Sequence, residues 1–207
     1  MSDRVELVVR TIAQTAIDNE QYFSELDGVV GDGDFGYSLA RGFEKVLAEW
    51  DTLDPAAPGQ FLTKTSALII SAVGGVSGTI WGTAFLRAGI SLGTKTDIEG
   101  PDVVALLRAS IEGIKKRGQS DVGDKTLLDA LVPAVDALEK TLNEGGGAAA
   151  ALADAAAAAR ASAENTRTML AKRGRASYTG ERSIGSLDAG AVAVAVMAEA
   201  VSQAWTS

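Results

Sequence analysis

Apolar side chains recur along this chain at intervals of three and four residues, which is the spacing of one face of an α-helix. In the segment "VELVVRTIAQTAIDNEQYFSEL" that face carries Val5, Val8, Val9, Ile12, Ala16 and Phe23. Further helices are predicted at about residues 37–50, 59–73, 77–91, 101–117, 125–142, 148–171 and 188–205. Glycine or proline separates most of these segments, as in "LDPAAPG" and "NEGGG". The pattern therefore predicts one all-α domain of about eight helices over residues 1–207.

Two segments have a less certain pattern. Residues 191–198, "AVAVAVMA", alternate as a strand would, but a tightly buried helix has the same composition, and periodicity leaves both open. Residues 148–164 are rich in alanine and low in complexity. Because alanine is the best helix former, we expect an ordered helix that packs closely on its neighbours rather than a linker.

Composition narrows the classes of function. The 207 residues are 46% hydrophobic and 22% charged, with a formal net charge of -8. An acidic balance argues against broad contact with nucleic acid or an anionic membrane, since both require clustered lysine and arginine. No apolar run approaches the roughly 20 residues that span a bilayer. The beginning, "MSDRVELVVR", lacks the apolar region of a signal peptide, so we expect a cytoplasmic protein.

The sequence contains neither cysteine nor histidine. A disulfide framework, a thiolate nucleophile and a zinc–thiolate site are therefore excluded. An imidazole base and a phosphohistidine are excluded as well. Any metal must be held by oxygen ligands, which favours Mg²⁺, Ca²⁺ or Mn²⁺.

The stretch "LDGVVGDGDFG" gathers Asp27, Asp32 and Asp34 within eight positions, between glycines. Three carboxylates close together repel one another, and a divalent cation relieves that repulsion. The alternative is that they cap helices and form turns. An EF-hand does not fit, because the twelfth position counted from Asp32 is Phe43 rather than a glutamate.

Three other stretches carry candidate chemistry. In "SAVGGVSGTIWGTAF", glycines around Ser77 precede a predicted helix, and free backbone N–H groups there suit an anion, although a close helix–helix turn is the alternative. The sequence "GQSDVGDKTLLDAL" is similar to a Walker A loop, but no strand precedes it. It is therefore either a helix cap or a loop that packs on a nucleotide. The long stretch "KRGRASYTGERSIGSLDAGA" holds Arg173, Arg175 and Arg182, which suit phosphate unless the loop is merely solvated. Together with the acids, this set is what binding Mg²⁺ and a nucleotide phosphate requires.

The motifs "LDGVVGDGDFG…ARGF", "GGVSGTIWGTAFLRAG", "GDKTLLDALVPAV" and "GRASYTGERSIGSLDAGA" occur in this order. They resemble those of the nucleotide-binding L subunit of dihydroxyacetone kinase, the DhaL or DAK2-domain family, from about Asn19 to Ala204. The resemblance implies a closed barrel of about eight antiparallel helices with ADP or ATP at one end. It also implies that residues 191–198 are helical.

The resemblance implies a role for individual residues. Asp27, Asp32 and Asp34 would coordinate the Mg²⁺ ions that bridge the nucleotide phosphates. The remaining nucleotide contacts would come from Phe35, Gly36, Tyr37, Ser38, Val76, Ser77, Gly118, Leu127, Arg175, Asp188, Ala189 and Gly190. Three of these depart from the family pattern: Phe35 stands in place of a histidine, Val76 in place of a smaller residue, and Ala189 in place of a proline.

The resemblance further implies a division of labour. A separate K subunit would hold dihydroxyacetone or a related triose or tetrulose covalently through its own histidine, and this chain would be a kinase subunit active only with that partner. The phosphoryl donor would be free ATP or a phosphotransferase-system protein that rephosphorylates bound ADP. The sequence does not decide between these donors, and it leaves a homodimer open. The departure at Phe35 supports a second hypothesis, in which the chain is a regulatory module that binds nucleotide and signals to a partner without turnover. A free-standing Mg²⁺-dependent phosphohydrolase is a third hypothesis.

Overall fold

The computed structural model describes residues 2–206, with the side chains of residues 3–205, and this part of the chain is mostly helical. Met1 and Ser207, the ends of the predicted domain 1–207, lie outside the described residues. The described part forms nine α-helices and no strand: α1 (Ser2–Asp18), α2 (Glu20–Gly28), α3 (Phe35–Ala48), α4 (Pro58–Ala72), α5 (Gly75–Leu92), α6 (Gly100–Gly118), α7 (Leu128–Asn143), α8 (Ala148–Asn165) and α9 (Ala189–Thr206). The all-α prediction is confirmed, as is a helix over residues 191–198.

Several helix boundaries differ from the predicted ones; for example, α7 begins at Leu128 rather than at about residue 125. The first predicted helix is divided at Asn19, where φ is -107° and ψ is 16°, so the described helices number nine rather than about eight. The alanine-rich helix α8 ends at Asn165 rather than near residue 171, and a short 3-10 turn, Thr166–Thr168, follows it. The Thr166 hydroxyl donates to the Ala163 carbonyl at 2.6 Å and accepts the Asp188 N–H at 2.9 Å. Contacts to the chain before α9 therefore end a helix that local propensity would extend.

Each helix packs against its neighbours in the chain, and the first helix also contacts the last. Helix α1 contacts α3 and α9, and contacts continue in pairs from α3 to α4 and onward to α9. Helix α2 lies against α3 and α9. Large side chains such as Phe23, Phe43 and Phe61 are fully buried where these helices meet. Burial of this apolar surface, at about 25 cal/mol per Å², is the main force that stabilises the fold.

Small residues allow the closest helix pairs to approach. A Cβ added at Gly89 of α5 would lie 2.6 Å from the Gly59 carbonyl oxygen of α4, so only hydrogen fits there. Helix α8 presents a buried alanine face to α7 and α9, formed by Ala151, Ala155, Ala156, Ala159 and Ala163. The prediction of an ordered, closely packed alanine helix is confirmed.

Four connections, together with the helix ends beside them, contain the residues that the sequence singles out. They join α2 to α3 (residues 29–34), α4 to α5 (73–74), α6 to α7 (119–127) and α8 to α9 (166–188). The candidate residues therefore lie at every second connection along the chain, beginning with α2–α3. No helix within residues 2–206 has the length and apolar character needed to cross a bilayer.

Candidate functional site

The first component of the site is an acidic loop, residues 27–34, between α2 and α3. Asp27 lies in the last turn of α2, and Asp34 is the residue before α3. One carboxylate oxygen from each of Asp27, Asp32 and Asp34 lies within 4.8 Å of the other two. The loop therefore brings together the three acids that the sequence predicts to act together.

Two glycines make this arrangement sterically allowed. Gly33 has φ +75°, and its N–H donates to Asp27 Oδ2 at 2.9 Å. A Cβ at Gly31 would lie 2.8 Å from the carboxyl carbon of Asp27. A side chain at position 31 would displace the Asp27 carboxylate, and one at position 33 would strain the backbone. The glycines thus direct all three acids to one side of the loop.

The charges of the loop are partly balanced by an arginine from a distant segment. Arg175 Nη1 lies 3.0 Å from Asp34 Oδ2 and also pairs with Asp32 Oδ2. Burial raises the pKa of Asp27, as does repulsion from Asp32 and Asp34, while hydrogen bonds from backbone N–H groups lower it. Three crowded oxygen donors on a short loop fit a hard cation such as Mg²⁺, which binds through carboxylates.

The second component is the glycine-rich turn before α5. Gly74 is extended, at φ -75° and ψ 176°, and Gly75 has φ +70°. Both are exposed, and a Cβ at either would meet no atom within 4 Å. The first backbone N–H groups of α5 thus begin in an open turn, the arrangement that binds anions in other proteins. Ser77, with Ser38 of α3, lines one small hollow, so this turn lies beside the beginning of α3.

The residues at the start of α3 point in two directions. Phe35 is half-buried, with its ring centroid 6.3 Å from that of Phe23. Gly36 is buried, and a Cβ there would lie 2.6 Å from the Ser24 nitrogen. Tyr37 is exposed, with the Arg41 guanidinium 5.0 Å from its ring centroid. Phe35 and Gly36 therefore pack against α2, while Tyr37 and Ser38 face the more open side.

The predicted nucleotide residues at the ends of α6, α7 and α9 form a second group. A Cβ at Gly190 would lie 3.3 Å from Leu127 Cβ, and one at Gly118 would lie 3.2 Å from Ile80 Cδ1 of α5. Asp188 Oδ1 accepts the Ala191 N–H at 2.7 Å and so caps α9, beside the buried Ala189. The exposed Val76 belongs to the glycine-rich turn instead.

Asp188 also has an unusual charge environment. Burial raises the pKa of its carboxyl group from 3.8 to about 7. The Ala191 N–H and attraction to Lys125 oppose that shift, while repulsion from Asp129 and Asp27 adds to it. The side chain is half-buried, so solvent screens part of these interactions.

Sequence reasoning missed two buried charged residues beside the site. Lys125 has a side chain 2% exposed, and its Nζ donates to the carbonyl oxygens of Met169, Ser183 and Ser186. Asp129, 3% exposed, accepts the Gly123 and Thr126 N–H groups at 2.5 and 2.8 Å. No sequence signal identifies Lys125, because a lysine in a glycine-containing loop usually lies in solvent.

A separate groove of about 400 Å³ lies between α1 and the last turn of α3, lined by residues such as Arg10, Gln14 and Leu47. It has no carboxylate cluster or glycine-rich turn, and the acidic loop lies at the other end of α3. The clustered acids, rather than this groove, therefore identify the candidate site.

Comparison with known proteins gives a consistent result. Residues 29–203 match the model of the DAK2 domain family. The chain is 36% identical over 186 residues to the ADP-binding subunit DhaL of PEP-dependent dihydroxyacetone kinase 1 of Listeria innocua, covering 90% of this chain and 88% of that one. It is 36% identical over 201 residues to L-erythrulose 1-kinase of Mycolicibacterium smegmatis, covering 95% of this chain and 34% of that one.

A crystal structure is similar as well. The dihydroxyacetone kinase from C. freundii in complex with AMP-PNP and Mg²⁺ superposes with a TM-score of 0.77 and 26% sequence identity, covering 95% of this chain. This chain spans 33% of that kinase's length.

Proposed function

The chain belongs to the DAK2 domain family, and on that premise we propose that it is the Mg²⁺- and ADP- or ATP-binding phosphotransfer subunit of a dihydroxyacetone-type kinase. One observation carries the proposal: Asp27, Asp32 and Asp34 offer oxygens within 4.8 Å of one another at the beginning of α3, and that end of α3 adjoins the glycine-rich turn. A cation site beside an anion site is what a metal–nucleotide complex requires.

The proposed roles follow from the chemistry of each group. The three aspartates hold Mg²⁺, which when bound neutralises phosphate charge. Backbone N–H groups at the beginning of α5, at Val76 and Ser77, donate to phosphate oxygens. Arg175 supplies a positive charge beside the acids, and Tyr37 and Ser38 border the phosphates. These groups position and neutralise rather than exchange protons or form covalent bonds.

We further propose that the base and sugar of the nucleotide lie near Gly118, Leu127 and the turn Asp188–Gly190. The proximity of Gly190 to Leu127, and of Gly118 to Ile80 on α5, supports a shared lining. For Phe35 and Gly36 the proposed contribution is indirect, since they pack α3 against α2 and so fix where Asp34 and Tyr37 lie.

A closed barrel of helices, with residues 1–207 as a single domain and the site at one end, is part of the proposal. The unbroken series of neighbouring helices from α1 through α3 to α9, with α9 again beside α1, supports closure. The contact of Arg175, from the α8–α9 connection, with Asp34, from the α2–α3 connection, supports a site at one end.

The proposed partner is a separate K subunit that holds the ketose. This chain contains no histidine, so the covalent ketose adduct expected of this chemistry would have to form on another protein. The substrate is dihydroxyacetone or a related triose or tetrulose, as the names of the two relatives suggest. A phosphotransferase-system protein as the phosphoryl donor agrees with the PEP-dependent relative. A cytoplasmic location and a homodimer stay predictions.

The first experiment is calorimetric titration of the purified chain with ADP, with and without Mg²⁺. We expect binding that requires the metal and that Asp32→Asn and Asp34→Asn reduce at least about 100-fold, because each removes a charged oxygen ligand. Helix content by circular dichroism should stay unchanged. Asp97→Asn, an exposed acid in another loop, is the matched control and should bind as the wild type does.

Equal binding by the Asp32→Asn and wild-type chains would overturn the metal assignment. Denaturing freshly purified protein then identifies retained nucleotide: ADP that resists exchange indicates a phosphotransferase-system donor, and ready exchange indicates free ATP. Turnover of dihydroxyacetone with a K subunit completes the test. Metal-dependent binding without turnover by any K protein would favour the regulatory module instead.

A further inference from the structure

The buried lysine beside the site holds together two connections that are distant in sequence. Lys125 Nζ lies 3.2 Å from the Met169 carbonyl oxygen and 2.8 Å from that of Ser186, and it also donates to the Ser183 carbonyl. These acceptors lie 44 to 61 positions along the chain. Three carbonyl oxygens match the three donors of an ammonium group, so the lysine is bound in its charged form.

The residue before it binds the same segment at another point. The Asp124 carbonyl oxygen accepts the Lys172 N–H at 3.0 Å, and its carboxylate lies 3.4 Å from Lys172 Nζ and 3.3 Å from Arg173 Nε. We call residues 169–186 the arginine loop. Asp124 and Lys125 together hold both ends of this loop, at 169–173 and at 183–186.

Between these ends, residues 174–182 of the loop are exposed or half-buried. Its hydrogen bonds there are local, for example from Ser177 Oγ to the Gly174 carbonyl and from Thr179 Oγ1 to the Ala176 carbonyl. Tyr178 is 89% exposed. The loop then contacts the acidic loop through Arg175, which pairs with Asp32 and Asp34. The position of Arg175 is therefore set largely by where the two ends are fixed.

We propose that Lys125 is a positioning residue: by binding the carbonyls at both ends of the arginine loop, it holds Arg175 against the acidic loop. A hydrophobic residue at position 125 would remove the Nζ donor from the Met169 and Ser186 carbonyl oxygens and leave the Ser183 carbonyl with the Ser186 hydroxyl alone, and the loop would leave its position to find water. Lys125 is not proposed to touch the nucleotide. The consequence for nucleotide affinity rests on the proposed function, whereas the consequence for the loop does not.

The loop itself is tested first, without any nucleotide. Lys125→Met keeps the length of the side chain and removes the three donors, while Lys140→Met makes the same change at an exposed position on α7. Hydrogen exchange, read by mass spectrometry, should be at least about tenfold faster at residues 174–183 in Lys125→Met, with α3 and α5 unaffected. Lys140→Met should exchange as the wild type does. Unchanged exchange at 174–183 in Lys125→Met would overturn the inference.

A milder variant covers the case in which Lys125→Met does not fold. Ser186→Ala removes a hydroxyl that lies 3.3 Å from Lys125 Nζ and donates to the Ser183 carbonyl at 2.7 Å. Exchange should rise in the same residues by a smaller factor, about threefold. No increase at residues 174–183 in Ser186→Ala would then count against the proposal.

A double-mutant cycle with Arg175→Ala separates positioning from general destabilisation. If Lys125 acts through Arg175, Lys125→Met should weaken Mg²⁺-dependent ADP binding about tenfold in the wild-type background but less than about twofold when Arg175 is already alanine. Equal losses in both backgrounds would refute an action through Arg175. If the wild-type chain binds no nucleotide, the proposed function fails, and hydrogen exchange still decides the role of Lys125.

Discussion

Replacing Asp188 with asparagine should change how the stability of the metal-free protein depends on pH. Burial raises the pKa of this carboxyl from 3.8 to about 7, so between these values the folded chain binds a proton that the unfolded chain does not. Stability therefore falls as pH rises through that range, and the loss is complete above the folded pKa. Asparagine carries no charge to titrate, yet it remains a preferred helix cap and can still accept the Ala191 N–H.

The size of the effect follows from the width of the pH window. Each pH unit over which only the folded chain holds the proton changes the unfolding free energy by about 1.4 kcal/mol. From about pH 5 to the folded pKa of about 7 this lasts about two units, so the loss by about pH 8 is at most about 2.8 kcal/mol. Because Asp188 is half-buried rather than enclosed, solvent screening reduces this figure, and we expect a loss of about 1 to 2 kcal/mol. The absence of histidine leaves this window free of imidazole titration.

The assay is urea denaturation of the EDTA-treated protein at a series of pH values, followed by circular dichroism. In Asp188→Asn the decline in unfolding free energy from about pH 5 to about pH 8 should be smaller by about 1 to 2 kcal/mol. Asp97→Asn is the control and should keep the wild-type slope. Parallel pH profiles for wild type and Asp188→Asn would refute the proposed environment of Asp188.

Two further predictions concern the beginning of α3. Gly36→Ala should lower the unfolding free energy by about 3 kcal/mol, because its Cβ would lie 2.6 Å from the backbone nitrogen of Ser24. Gly147→Ala meets no atom within 4 Å and should cost less than about 1 kcal/mol in the same urea assay, the difference between glycine and alanine at the N-cap of α8. Equal stability of the two variants would contradict the close approach of α2 and α3. Phe35→His should cost about 1 to 2 kcal/mol, because the smaller, polar ring loses its packing on Phe23. Wild-type stability would place the phenyl ring outside that contact, and turnover with a K subunit then shows whether a histidine there improves phosphate handling.

The parts of the fold that depend on neighbouring residues could be predicted from the sequence. Helical periodicity identified the helices, and glycine spacing identified the acidic loop, because all three acids lie within eight positions, from the last turn of α2 to the residue before α3. Gly33 has φ +75°, a backbone conformation that glycine adopts without strain, so the glycines allow the turn that brings the acids together. A cluster formed within eight consecutive positions requires no knowledge of how distant helices pack.

The parts that depend on distant residues could not be predicted. Arg175 and Asp34 are separated by 141 positions, and no local pattern pairs them. The predicted helix to about residue 171 is wrong beyond Asn165 for the same reason. There the Met169 carbonyl binds Lys125 and the Ala171 N–H binds Ser183 Oγ, so tertiary hydrogen bonds replace helical ones. Lys125 itself, predicted to begin a helix, has φ +60°.

Holding a loop with a buried ammonium group has an unfavourable desolvation free energy, since burial lowers the pKa of Lys125 and disfavours its charge. The geometry gives a reason for it. The two ends of the arginine loop present inward-facing carbonyls that no helix or sheet satisfies, and one ammonium group supplies three donors at a single point. An apolar residue would leave the Met169 and Ser186 carbonyl oxygens without this donor, and a single hydroxyl would satisfy one of them. Lys125 thus converts a long, exposed connection into one with fixed ends, which is what allows Arg175 to meet two aspartates from another connection.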